Sequence, residues 1–333
     1  MRFGPVPLDQ ATGAILAHSV ALPDGRLRKG CTLTDADLTR LRAAGLTEVM
    51  AARLDPDDIS EDAAAARLAR ALVPDPLEAG LTLSPAHTGR VNLNATGPGL
   101  VHLDAAAVHA LNRVHPAITL ATLMPLTRVA PGQLAGTVKI IAYAVPGAAL
   151  DAACGLAQDA IRILPVRHAS ASLILTEVPD LGPKLTQKGR RAVETRLRAL
   201  GIVLADCVTV PHQSADVAAA LVRARGSLRL ILTGSATSDL HDVAPEGLRA
   251  AGGIVHRFGM PVDPGNLLFL GQLGDSPVIG LPGCARSPAL NGADWVLERL
   301  ACGLNVTDDD IAAMGVGGLL KEIPQRGRLR EAT

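Results

Sequence analysis

The chain reads as an α/β protein: a three-layer α/β/α domain built on a mostly parallel sheet, preceded by smaller mixed α+β and β-rich modules. Three observations predict this. From about residue 167, short apolar β-type runs alternate with helical stretches, the pattern of βαβ units covered on both faces. The 333 residues are enough for two or three domains. Hydrophobic residues make up 48% of the chain but aromatics only 2%, so its cores are built from Ala, Leu, Val and Ile.

Residues 1–76 are read as a mixed α+β module. Thr34 before Asp35 and Asp37 marks a helix start, and Gly45 sits beyond its end. Val49-Met50-Ala51 follows as a strand, and an alanine-rich helix spans 61–72 before Val73-Pro74-Asp75-Pro76. Residues 77–166 are read as a β-rich accessory module. Turn chemistry occurs at His87-Thr88-Gly89-Arg90, a short helix spans 104–112, and later strands are divided by Pro131-Gly132.

The α/β domain is placed at 167–303. It opens with a strand in ASLILTEV and a helix over 188–200 with Val193, Leu197 and Leu200 on one stripe. A strand over 203–210, a helix over 215–224, a strand over 228–232 and a helix over 245–251 follow. Short strands at 267–270 and 277–281 and a helix over 290–300 complete it. Residues 304–333 are expected to form a C-terminal tail or linker.

With 32 basic and 32 acidic residues the formal net charge is zero. That argues against a general nucleic-acid binder and against a polybasic membrane-surface protein. The scarcity of aromatic rings removes base-stacking platforms. Five cysteines (Cys31, Cys154, Cys207, Cys284, Cys302) are scattered and form no C-x-x-C pair, which fits a reducing compartment and gives neither a disulfide framework nor a zinc site. No uninterrupted apolar run reaches signal or membrane-spanning character. A cytoplasmic protein is expected, with no nucleic-acid or membrane partner, assembling with copies of itself.

The most informative stretch runs from 228 to 288. The apolar run Leu228–Leu232 breaks into Thr233, Gly234, Ser235, Ala236, Thr237 and Ser238. Asp242 follows, then a helix start at Ala244-Pro245-Glu246, where Pro and Glu both suit the first turn. A strand feeding a small-residue loop and a helix N-terminus can hold an anion on backbone N–H groups. Pro264-Gly265 and Pro282-Gly283 mark two further loops of the kind that gather at one edge of an α/β sheet.

This set of motifs resembles the molybdopterin-binding domain shared by molybdopterin adenylyltransferases and molybdopterin molybdenumtransferases. Thr233-Gly234 match the start of the family's T-G-G-x-G, and Asp242 stands at its acidic position before a P-E helix start. Pro264-Gly265 match the centre of K-P-G-K, and Leu281-Pro282-Gly283 with Ser287 match L-P-G-N-P-x-S. The first 146 residues resemble accessory regions of bacterial molybdopterin-binding proteins that often carry a nucleotidyltransferase domain downstream. The chain also departs from the family. Ser235 and Thr237 replace glycines, Asp263 and Asn266 replace the two lysines, Cys284 and Ala285 replace Asn-Pro, and His212 replaces an acidic residue. A charge pair at about 4 Å is worth roughly 4 kcal/mol at an effective dielectric near 20, and Asp263 turns that attraction into repulsion.

The resemblance implies a molybdopterin-binding protein of molybdenum cofactor biosynthesis, with the pterin phosphate on Thr233–Ser238 and the rest of the ligand along Pro264, Gly265, Pro282, Gly283, Cys284, Arg286 and Ser287. Asp242 would be the catalytic and metal-binding residue. An active chain would be a molybdenumtransferase or adenylyltransferase-like enzyme, carrying out adenylyl-pterin hydrolysis with molybdate insertion assisted by Mg²⁺. Two alternatives stay open: a non-catalytic carrier serving a nucleotidyltransferase or molybdoenzyme, and a nucleotide-processing hydrolase like the competence-damage-inducible proteins. The missing lysines favour the carrier. Each residue also has a plainer role. Asp242 can be a helix cap, and Thr233 and Ser235 can satisfy only the loop backbone. Asp239 and His241 fit a solvated loop, His212 an exposed loop histidine, and Cys284 a small apolar group. Lys184 and Arg286 are candidates for phosphate contact beside their default as surface charge. His102, His109 and His115 are too loosely spaced for a metal site.

Overall fold

The computed structural model describes residues 1–179 and 183–320. The chain forms two compact units, residues 1–97 with 101–164, and residues 98–100 with those from 165 onward. Among the described residues no helix is long and apolar enough to cross a membrane.

The first unit holds two apolar cores. One gathers Val6, Leu8, Leu16, Leu33, Leu38, Leu41 and Val49. Thr34 caps the helix Asp35–Ala43 in a capping box with Asp37, and Glu48–Arg53 pairs antiparallel with Arg2–Pro7. The helix Glu61–Leu72, read with the N-terminal module, buries Ala64, Ala65, Leu68 and Leu72 in the other core instead. That core extends through the strands Arg90–Ala95 and Leu134–Ile140 to Ile163. Sequence reading missed the helix Gly147–Leu156.

The second unit carries the expected sheet. Its six strands lie in the order Val203–Pro211, Ser170–Glu177, Leu228–Leu232, Ser276–Leu281, Phe269–Leu273, Ile254–Phe258. The first four are mutually parallel, and the last two add antiparallel pairs. Successive residues point to opposite faces, as pleating requires. Leu173, Leu175, Leu230, Leu232, Ile279 and Leu281 join one core, with Val193 and Leu197 of the helix Pro183–Ala199 and Val296 and Leu297 of the helix Gly292–Ala301. Ile174, Ile231 and Val278 join another, with Val217 and Leu221 of the helix Ser214–Arg223 and Leu248 of the helix Val243–Ala250. The sheet is therefore covered on both faces, and near-continuous apolar strands follow.

Three local readings are corrected. The helix read from Pro245 starts at Val243 because Asp242 caps it, which leaves Pro245 still within the first turn. The strand Ile254–Phe258 went unread because it is an edge strand carrying His256 and Arg257, so it has no apolar run. Residues 304–320, expected as a tail or linker, carry the helix Asp308–Ala313 and bury Val306, Ile311 and Met314 in the core. The rest of that stretch, 321–333, lies outside the described residues.

Candidate functional site

Parallel strands carry their carboxyl ends to one edge, and the site is built there. Ser170–Glu177 is followed by a helix on one face of the sheet and its neighbour Leu228–Leu232 by a helix on the other. Adjacent parallel strands whose following helices lie on opposite faces mark a switch point, the kind of place where α/β sheets bind ligands. Thr176 sits at this switch point. Its buried hydroxyl accepts the Gly234 N–H at 2.8 Å and lies 2.8 Å from His212 Nδ1. The hydroxyl thus ties the ends of three strands together. His212 is accordingly a partner of Thr176 as well as a loop residue. Thr176 escaped sequence reading, although a polar residue ending the buried run Ala171–Leu175 was a usable signal.

The loop Thr233–Ser238 is held at both ends. Thr233 is buried; its hydroxyl donates to Ser235 O at 2.6 Å and lies 3.4 Å from the hydroxyl of buried Thr237. At the far end Asp242 Oδ2 accepts the Ser238 N–H at 3.0 Å, while Oδ1 accepts the Val243 N–H at 2.7 Å. Between these anchors the N–H groups of Ser235, Ala236 and Thr237 have no hydrogen-bond partner among the described residues. Ser235 and Ala236 are exposed. These three N–H groups, on an anchored loop beside a helix start, are the donors the loop leaves unused among the described residues, the kind of group that holds an oxyanion.

The third loop closes against the first. Pro282 leads into the one-turn helix Gly283–Arg286. Arg286 Nη2 donates to Thr233 O and Nη1 donates to Gly283 O at 3.2 Å, while its Nε is buried without a partner. Burial pushes the Arg286 guanidinium below the ordinary arginine value. Arg196, also missed in sequence, fixes this loop from below. It is largely buried and paired with Asp294, and its fork donates to the carbonyls of Ala285, Ser287 and Ala289. Cys284 is exposed, and its Sγ accepts from Asn291 Nδ2 at 3.0 Å. Asn291 also caps the helix Gly292–Ala301, and Gly292 N–H donates to Pro264 O at 2.8 Å, which joins the Pro264-Gly265 loop to the same edge.

Comparison with known proteins adds three findings. A domain of unknown function (DUF8806) matches residues 5–53. Among curated proteins no relative matches the chain. Two solved structures are similar to it. The molybdopterin biosynthesis MoeA protein from Pyrococcus horikosii is 15% identical, with a TM-score of 0.32 over 91% of this chain and 76% of that one. Molybdenum cofactor biosynthesis protein B is 13% identical, with a TM-score of 0.31 over 41% of this chain and 95% of that one. Likeness at this level leaves the chemistry to the residues of the site.

Among the described residues Asp242 has no gathered set of ligating side chains around it for a Mg²⁺. Both Asp242 oxygens already accept N–H bonds. Asp239 Oδ1 accepts the His241 N–H, and Glu246 is shared between His241 and Arg249. Among the described residues no group of three or more His, Cys, Asp or Glu side chains could hold a metal. At the family's lysine positions, Asn266 reaches only Met260 O at 3.4 Å, and the backbone of Asp263 bonds Gly318 and Leu320. Around the loop Thr233–Ser238 the positive elements among the described residues are backbone N–H groups and Arg286, with Lys184, Lys188 and Arg191 in the cavity that Arg286 also lines.

Proposed function

We propose that this chain binds a phosphorylated pterin of the molybdopterin type at the carboxyl edge of its sheet, and that it serves molybdenum cofactor biosynthesis. The observation that carries this reading is the row of free N–H groups at Ser235, Ala236 and Thr237. Held by Thr176, Thr233 and Asp242, that row needs little ordering when an oxyanion arrives. The pterin enters through the motif resemblance at Thr233-Gly234, Asp242, Pro264-Gly265 and Leu281-Pro282-Gly283 with Ser287.

The chain is proposed as a carrier rather than a catalyst. A hydrolase or transferase acting on an adenylyl pterin needs positive charge at the transferring phosphate. At the positions of the family's two lysines Asp263 and Asn266 supply none, and among the described residues no metal-ligand set stands beside the loop. A carrier needs only the cradle, and would pass its cofactor to a nucleotidyltransferase or a molybdoenzyme.

Calorimetric titration with molybdopterin tests the cradle. Ala236→Pro removes one N–H from the row and is expected to weaken binding about tenfold or more. Ser235→Gly keeps every N–H and is expected to bind like the parent. Parent-like affinity in Ala236→Pro would put the phosphate elsewhere.

A further inference from the structure

We propose that the groove between the helix Pro183–Ala199 and the turn Gly283–Arg286 is a second anion subsite, which takes the diphosphate of a nucleotide-bearing ligand. Lys184, Lys188 and Arg191 recur at i, i+4 and i+7, so they share one helix face. With Thr195 they line a cavity of about 360 Å³ whose other wall is Arg286 and Pro288. Four cations converge there, and no carboxylate lines the space.

The pairing pattern separates this stripe from ordinary surface charge. Arg190, on the same helix but off the stripe, is paired with Glu194 at 2.7 Å, and Arg196 is paired with Asp294. Lys184, Lys188 and Arg191 have no carboxylate partner among the described residues. Arg286 gives an independent indication. It is partly buried, its Nη groups reach only main-chain carbonyls, and its Nε has no partner among the described residues. A charge withdrawn from water without a counterion is costly, so a bound anion belongs in its field.

The shape selects a small ligand. The cavity lies at the low end of the roughly 300–1,000 Å³ range of small-molecule sites. A single phosphate leaves most of the fourfold charge uncompensated, and a diphosphate answers it. Arg286 joins the two subsites, because it supports Thr233 O in the loop and lines the groove. This assignment of the whole ligand rests on the pterin reading: the two phosphates would lie on either side of Arg286, one toward Ser235–Thr237 and one among Lys184, Lys188 and Arg191.

Titration calorimetry of the full chain with inorganic pyrophosphate and with ADP is the test. The double variant K188Q/R191Q is expected to lose tenfold or more in affinity for both. R190Q, which removes charge from the same helix off the stripe, is expected to stay within about twofold of the parent. Equal losses in the two variants would reduce the effect to long-range charge and overturn the subsite, as would a parent that binds neither probe. The pterin reading fails separately. A chain that binds pyrophosphate on the stripe but takes up no molybdopterin keeps the groove and loses the pterin. Uptake of a pterin dinucleotide with the same affinity by parent and K188Q/R191Q keeps the pterin and loses the groove.

Discussion

A Cβ built on Gly280 would lie 1.9 Å from Cε1 of Phe269, the residue paired with it across the hairpin. Phe269 is fully buried and one of three phenylalanines in the chain, so its ring fills space that the aliphatic core leaves open. Gly280→Ala is therefore expected to destabilise the second unit by about 1–3 kcal/mol or more, the usual cost of overpacking, as read by urea unfolding. The cysteines sort by the same logic. Burial, with Glu298 adding to it, pushes the Cys302 thiol up to about 11, while Cys284 lies exposed at the site edge. Because the thiolate is the reacting species, alkylation at neutral pH followed by mass spectrometry is expected to mark Cys284 early and Cys302 only on unfolding. Prompt labelling of Cys302 would contradict the packing around it.

Elements, rather than single residues, decide how the proposed binding edge is held, and Arg196 shows how. Its guanidinium sits between the helix Pro183–Ala199 and the loop 285–289, bonding three loop carbonyls while paired with Asp294 at the start of the next helix. Arg196→Leu leaves Asp294 largely buried without its partner, a loss of about 3–5 kcal/mol in comparable pairs. It also frees the loop that carries Cys284 and Arg286. Reduced stability together with weakened ligand binding is the expected outcome, followed by denaturation and by the titrations above; loss of stability with intact binding would show that the loop is held without Arg196. The elements themselves were largely legible. The apolar run at Leu228–Leu232, the cap at Thr34 and the alanine-rich stripe of Glu61–Leu72 were readable because each rests on neighbours in sequence. Arg196 and Thr176 were not, since their partners lie far along the chain: Arg196 bonds Ala285 and Ser287, 89 and 91 positions away, and Thr176 bonds Gly234 58 positions away. The edge strand Ile254–Phe258 was hidden for a different reason: it is partly open to water and carries His256 and Arg257 at its centre. Likewise the motif loops could be found in sequence, but not which of their N–H groups the protein itself consumes. Gly234 and Ser238 spend theirs internally, and only the tract between them stays free.

Across the molecule, the binding edge has a counterpart at the opposite, amino-terminal edge of the same sheet. There His168 precedes the strand Ser170–Glu177, and its Nδ1 lies 2.9 Å from the Ser227 hydroxyl before the next strand. Burial lowers the His168 pKa from the ordinary 6.5, because the charged imidazolium loses water there. The direction of the pH effect follows from linkage. A folded pKa below the unfolded one means that the unfolded chain binds the proton more readily, so the stabilisation is complete above about pH 6.5 and is lost as pH falls toward the folded value. Urea midpoints of the parent are therefore expected to decline as pH drops below that point, and His168→Gln should flatten the decline while keeping a hydrogen-bonding partner for Ser227. The site chemistry proposed above uses backbone N–H groups and arginine or lysine cations, none of which titrates in this window. A phosphate monoester has its second ionisation at about pH 6, so ligand affinity measured on folded protein is expected to follow the ligand's own titration and to be the same in parent and His168→Gln. A variant that declines as steeply as the parent would move the acid sensitivity to another group, and an affinity–pH profile that differs between parent and His168→Gln would tie the two edges of the sheet together.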